Sequence, residues 1–565
     1  MATPSWLVAC GQAAEMFETA AERIAASRPA SIALIVLVAL ACFLPGFFSL
    51  PPLDGEETVY AVGAREIVAT AELAPLHVQT DMEPWRPHGT EWVEALTVVV
   101  TGQGTKAAIW IYRLPSLAAA VAASVFVWWT ALAFGRPRAA LLAGLLFAGS
   151  GILGLQGRLA APDALLAAAT TLAAGAVARL WLMRTAAPPV RWALTFWLAI
   201  GAGFLVAGPV APAMAAAAVV VLTFERGSLR WLASFRPGIA IVVVIATLTP
   251  WLFSVAALSV ADVAGPDVPF LTRIGVPFHV EAPPGSYLLL APLLVGPAMT
   301  FIFIAMPALM NNLSRRDILF ALAWGGPLWI WVEFYPEKLP QYVLPAVPMM
   351  VWLAAAAIDA GFARIGGKVS LAYSTGPLIW PPLALVVLPL AFFLIEGHLP
   401  LAAIGAFLVA ALAGPLAWLW LRRERAVAST VMSVVTVAFM YLGVFGFILP
   451  GLSALRVAER IVDTARADMS CGLPRIAAAG FPEESLVFVG GRGTLLTDGF
   501  GAADFLDSNA CRVAAVDTTQ ISSFRQRLDD LGIEAIDHGR VDGINLRKVR
   551  RVSIHLFSAA GEDNS

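Results

Sequence analysis

The side chains that could do chemistry in this chain fall in five short stretches. LDGEETVYAVGAREI (residues 53–67) carries Asp54, Glu56, Tyr60, Arg65 and Glu66, with Glu56 and Tyr60 at helical spacing. A carboxylate at a helix start beside a membrane boundary could act as a general base. Equally, Asp54 and Glu56 could cap that helix and favour its dipole. DMEPWRPHGTEW (81–92) places Arg86, His88 and Glu91 between Trp85 and Trp92. The tryptophans could bind substrate or form an interfacial belt. GRLAAPDALL (157–166) brings Arg158 and Asp163 to a helix start, either as a paired cap or as part of a site. VPFHVEAPPGSY (276–287) offers His279, for which a structural role stands beside a binding one. FYPEKLPQYVLP (334–345) offers Glu337, Lys338, Gln341 and Tyr342. The Gly-rich VGGRGTL (489–495) lacks the spacing and terminal lysine of a phosphate loop and reads as a turn.

The elements that must position these residues follow from composition. Of 565 residues, 59% are hydrophobic and 13% charged, with a mean hydropathy of +0.78. Soluble chains run near about 45–50% apolar and about 25% charged. An ordinary soluble enzyme, a disordered chain and an alternating outer-membrane barrel are thereby excluded. No basic domain points to nucleic acid, and four cysteines cannot build a disulfide framework.

Apolar runs long enough to cross ~30 Å of hydrocarbon number thirteen between residues 31 and 450, among them 31–50, 139–156 and 287–310. Residues 192–224 read either as one long helix or as a hairpin broken at Gly208-Pro209. Lysine and arginine collect in cytoplasmic loops, and the hairpin puts sixteen of them in the cytoplasmic segments and seven in the outer loops that precede the tail. A single span would instead turn Arg315, Arg316 and the Arg422–Arg425 cluster outward. The predicted protein is therefore an α-helical polytopic membrane protein. Residues 1–30 form a cytoplasmic interfacial segment, and residues 31–454 the membrane domain, with a large outer loop at 51–112. Residues 455–565 form a small exterior α/β domain. In that tail 485–491, 511–517 and 549–557 read as strands and 519–532 as a helix. An oxidising exterior makes a Cys471–Cys511 disulfide an expectation. No inverted repeat of broken spans is visible, which sets a secondary transporter aside.

Four motifs, in order, resemble the GT-C glycosyltransferases that use polyprenyl-phosphate sugars, of the lipid A aminoarabinose transferase and protein O-mannosyltransferase type. They are Glu56-Glu57-Thr58-Val59-Tyr60 through Arg65-Glu66, Arg86-Pro87-His88 to Trp92, the pair Arg113-Leu114-Pro115-Ser116 and Gly157-Arg158 to Asp163, and Lys338-Leu339-Pro340-Gln341-Tyr342-Val343-Leu344-Pro345. The family's Lys-Gly-Pro turn is here Ala207-Gly208-Pro209. The resemblance implies an inner-membrane transferase with its site on the periplasmic face. It implies a polyprenyl-phosphate sugar donor, a lipid, glycan or protein acceptor, and membrane lipids as surroundings. Catalytic roles fall on Glu56, Asp54 and Asp163. Phosphate contacts fall on Arg86, Arg158 and Lys338, and substrate contacts on Tyr60, Trp92, His279 and Tyr342. No cofactor is implied, and a divalent metal is left open. An inactive scaffold and a lipid-linked sugar transporter are the alternatives.

Overall fold

The computed structural model describes residues 5–73, 86–183, 188–256, 282–468, 474–507, 511–546 and 550–560. Among these, eight helices are long and apolar enough to cross a membrane, or up to nine if a bent N-terminal pair counts as one span. The eight run from Ile109–Phe134 to Ala426–Gly451. Two of the other expected spans fall on shorter helices, Pro137–Ala148 and Ala298–Met310, while a third falls on the 20-residue helix Pro237–Ala256. Glycine and proline explain the shortening. The 139–156 run breaks at Gly149-Ser150-Gly151 and the 287–310 run at Val295-Gly296-Pro297. The two breaks touch: a Cβ on Gly151 would lie 2.0 Å from the Leu293 carbonyl oxygen, and one on Gly296 2.8 Å from that of Gly149.

The stretch 192–224 is a hairpin. Val190–Ala207 and Val210–Arg226 meet at Gly208, whose φ of +62° suits glycine. At the N-terminus the helix pair Val8–Ala26 and Arg28–Phe43 is bent by 118°. The first of these helices is pinned by Arg425 to Glu15 (2.8 Å) and Glu18 (2.7 Å).

The C-terminal residues form a five-stranded sheet: β1 (Arg475–Ala479), β2 (Leu495–Thr497), β3 (Arg512–Asp517), β4 (Ala535–Asn545) and β5 (Arg550–Ala559). The order is β2-β1-β3-β5-β4, with β2, β1 and β3 parallel and β5 antiparallel to both β3 and β4. Strand alternation feeds two cores. Ile476 and Ala478 face the helix Val457–Asp468, whereas Ala477 and Ala479 face Leu506, Phe524 and Leu528. The expected strand at 485–491 is instead the helix Glu484–Gly490. Its Leu486 enters one core, and its last carbonyls accept from an arginine of the membrane domain, so tertiary partners override the β-propensity of Val-Phe-Val. Cys511 is disulfide-bonded and Cys10 and Cys42 are free, while Cys471 lies outside the described residues.

Candidate active site

The helix Glu56–Thr70 opens after Gly55, whose φ is +99°. Neither Asp54 nor Glu56 caps it by a side-chain hydrogen bond. The segment before it is fixed from below by Arg113. The Arg113 guanidinium donates to the carbonyls of Phe47 (3.2 Å), Leu50 (2.9 Å) and Pro51 (2.9 Å), and to both carboxylate oxygens of Glu57. Glu57 also accepts the amides of Leu53 (3.0 Å) and Ala160 (3.2 Å). One buried ion pair thus sets the loop before Glu56, the helix of Arg113 and the turn before Asp163.

With Glu57 turned inward on Arg113, its neighbour Glu56 is bound from another segment. Gln341 donates to Glu56 at 3.2 Å from the turn Pro340–Ala346. Burial raises the Glu56 carboxyl above its usual pKa, while the Arg86 guanidinium and the Gln341 bond oppose that rise. Asp163, at the start of its helix, lies close enough to feel the charge of Glu56. Its Oδ2 is buried without a hydrogen-bond partner among the described residues. Arg86 lies over the Tyr60 ring at 4.1 Å and pairs with Glu91. Burial works against the Glu91 carboxylate, yet Arg86 and His88 (3.4 Å) hold its pKa below the ordinary value. Glu56, Asp163, Arg86 and Tyr60 are therefore brought together, with Tyr342 in the field of Glu56 and 6.2 Å from the Tyr335 ring.

The other expected site residues are placed differently. Asp54 accepts from the Ser485 hydroxyl and from the Leu546 amide (3.4 Å), so it joins the first loop to the C-terminal domain. Arg158 is fully buried, donates to the carbonyls of Cys42, Gly154 and Pro45, and stacks on Phe445 at 4.2 Å. Lys338 points its ammonium at the carbonyls of Val332, Glu333 and Tyr335, closing the C-terminus of the helix Arg316–Phe334. Both cations thus donate to backbone carbonyls at helix ends and turns. Trp92 ties its helix to the segment that follows Glu56–Thr70 by donating to Leu73 O at 2.8 Å. His279 and Trp85 lie outside the described residues.

The partner of Arg65 and the whole of Glu94 escaped sequence reading. Arg65 donates to Val487 O and Phe488 O, each at 2.8 Å, and so clamps the C-terminal domain. Glu94 is fully buried and has no hydrogen-bond partner for either oxygen among the described residues. Burial first, then Glu91 and Glu57, push its pKa well above the ordinary value. The signal was present, since Glu91 and Glu94 share one face of an otherwise apolar helix. Among the described residues no group of three or more His, Cys, Asp or Glu forms a metal centre.

The helical bundle with its C-terminal sheet domain has the fold of two solved ArnT structures. ArnT from Cupriavidus metallidurans in the apo state superposes with a TM-score of 0.69 at 18% identity, over 93% of this chain and 97% of that one. ArnT of the same organism bound to undecaprenyl phosphate gives 0.69 at 19% identity, over 94% and 98%. Residues 86–253 match the family described as dolichyl-phosphate-mannose-protein mannosyltransferase. No curated protein matches the chain.

Proposed function

We propose that the protein is a glycosyltransferase that moves a sugar from a polyprenyl phosphate to a lipid, glycan or protein acceptor at the periplasmic face of a bacterial inner membrane. The observation that carries this reading is the gathering of Glu56, Asp163 and Arg86 from three separate segments into one cluster around Tyr60. Glu56 takes the proton of the acceptor hydroxyl as its oxygen attacks the anomeric carbon. The carbon–oxygen bond to the phosphate breaks, and the electron pair leaves with the polyprenyl phosphate. Negative charge grows on that leaving group, and Arg86 stabilises it. Asp163 holds the acceptor, and Tyr60 and Tyr342 wall the sugar. With Arg158 and Lys338 committed to carbonyls, Arg86 is the phosphate-binding cation of this reading. The undecaprenyl phosphate bound by ArnT supports a lipid carrier of this class.

The transporter alternative gains nothing from the two helix breaks, because neither 149–151 nor 295–297 holds an ionisable residue. The test is mass spectrometry of envelope lipids and glycans in cells with and without the gene, complemented by Glu56→Gln. A sugar-bearing species that disappears on deletion and does not return with Glu56→Gln supports transfer. Identical profiles in all strains would sink it. A periplasm-dependent reporter fused after residue 460 should be active, and one after residue 425 silent.

A further inference from the structure

The C-terminal domain carries a cleft remote from the chemistry just described. It opens where the parallel strands β1, β2 and β3 end, and Gly480, Thr497, Asp498, Thr519, Gln520 and Arg550 line it. In open sheets with the strand order 2-1-3, the connections leave β1 and β3 in opposite directions, and the gap so created is where ligands sit. We infer that this cleft is a binding site for one neutral sugar unit, held by Asp498, Thr519 and Arg550, with Asp517 behind the last two.

Size and polarity argue for that ligand. The cavity is about 240 Å³, below the roughly 300–1,000 Å³ of sites for drug-sized molecules. Behind the lining residues Thr519 and Arg550 lies Asp517, 1% exposed, whose Oδ1 accepts from the Thr519 amide (3.1 Å) and hydroxyl (2.6 Å). Asp517 Oδ2 is buried and has no hydrogen-bond partner among the described residues. Beside it Arg550 donates to Gly480 O (3.1 Å) and stands 3.8 Å from Asp517, with a buried Nε that also has no partner among the described residues. A buried acceptor and a buried donor left side by side are costly unless something completes them. The helix Ile521–Leu531 begins at the cleft without a side-chain cap, which adds backbone donors.

A free anion would meet the Asp498 carboxylate, with that of Asp517 behind it, and a bare cation would meet Arg550. A pyranose meets neither obstacle, because each of its hydroxyls both donates and accepts. Backbone also fills the space where a larger residue would intrude. A Cβ on Gly480, at φ +80°, would lie 2.8 Å from Asp517 Cβ, and one on Gly499 2.7 Å from Gln520 O.

This inference does not depend on transfer, so binding is measured directly. Full-length protein in detergent is examined by saturation-transfer NMR with the methyl glycosides of glucose, mannose and galactose. At least one glycoside should receive saturation. Its affinity should fall about tenfold or more in Arg550→Gln and in Asp498→Asn, and stay unchanged in Glu56→Gln. Asp498→Asn keeps a side chain able to cap Gly501, so it decides the matter if Arg550→Gln fails to fold. No saturation of any glycoside overturns the inference. So does binding that both variants retain, or displacement of the glycoside by equimolar inorganic phosphate. Loss of the glycoside signal in Glu56→Gln alone would assign the sugar to the cluster around Tyr60 and likewise overturn it.

Discussion

Arg113 and Glu57, 56 residues apart, meet in two hydrogen bonds of 2.6 Å and 2.9 Å with both side chains almost wholly buried. Breaking a buried pair by removing one partner costs about 3–5 kcal/mol, because the other charge is stranded. Glu57→Ala should therefore lower the melting temperature sharply in detergent, whereas Glu56→Gln, one residue away, should leave it unchanged. Equal melting of all three proteins would show that the pair does not organise the loop.

Glu56 must be ionised to take a proton, and burial raises its pKa. Transfer should then fade as pH falls, with its acid limb above the ordinary Glu value of about 4.3. Gln341 stabilises the ionised form through its 3.2 Å bond. Gln341→Leu should shift the acid limb upward by about 0.5–1 pH unit, from the worth of one hydrogen bond. A limb that stays put would separate Gln341 from the proton-accepting group.

Arg86 sits on Tyr60 and beside Glu91, and its own charge reaches Glu56. Arg86→Ala should raise KM for the polyprenyl-phosphate sugar about 10–100-fold, the range of a charge-assisted contact, and move the acid limb of Glu56 upward as well. If KM is untouched and only the limb moves, the phosphate contact belongs to another group.

The sequence was most informative where chemistry and membrane physics agree. The apolar runs, the hairpin at Gly208-Pro209 and the strands at 512–517 and 550–559 follow from length, charge and alternation. Glu56, Asp163 and Arg86 were legible because an ionisable residue beside a span is costly and calls for a reason. What the sequence could not show was partnership. Lys338 reads as an unbalanced outer cation, and only the fold reveals three carbonyls at a helix end beneath it. Asp54 and Glu56 read as equivalent bases until Ser485, more than 400 residues away, takes up the first of them. The helix at 484–490 was hidden for the same reason.

Arg65 ties the domains by two 2.8 Å bonds to the end of that helix, and its guanidinium lies 5.2 Å from the Phe488 ring. Arg65→Ala should speed amide exchange in 484–490 at least tenfold, the effect of losing about 1.5–3 kcal/mol of charged hydrogen bonds. Exchange in β3 and β5 should not change. Uniform acceleration across the sheet would mean that the clamp holds up the whole domain rather than its junction.

Glu94 gives the clearest pH signature. Its folded pKa is raised well above the ordinary value, so the native state holds a proton that the unfolded chain releases at about pH 4.3. Where the native state binds more protons, stability falls as pH rises. The loss begins near the ordinary Glu value and continues until pH passes the raised one. Glu94→Gln keeps the shape and a neutral group, so this slope should vanish. Melting temperatures measured from pH 5 to 8 should decline more steeply for the native chain than for the variant, with the two proteins most alike at the acid end. The reverse pattern, with the variant weakening faster at high pH, would require Glu94 to be ionised and paired, against a carboxyl that has no hydrogen-bond partner among the described residues.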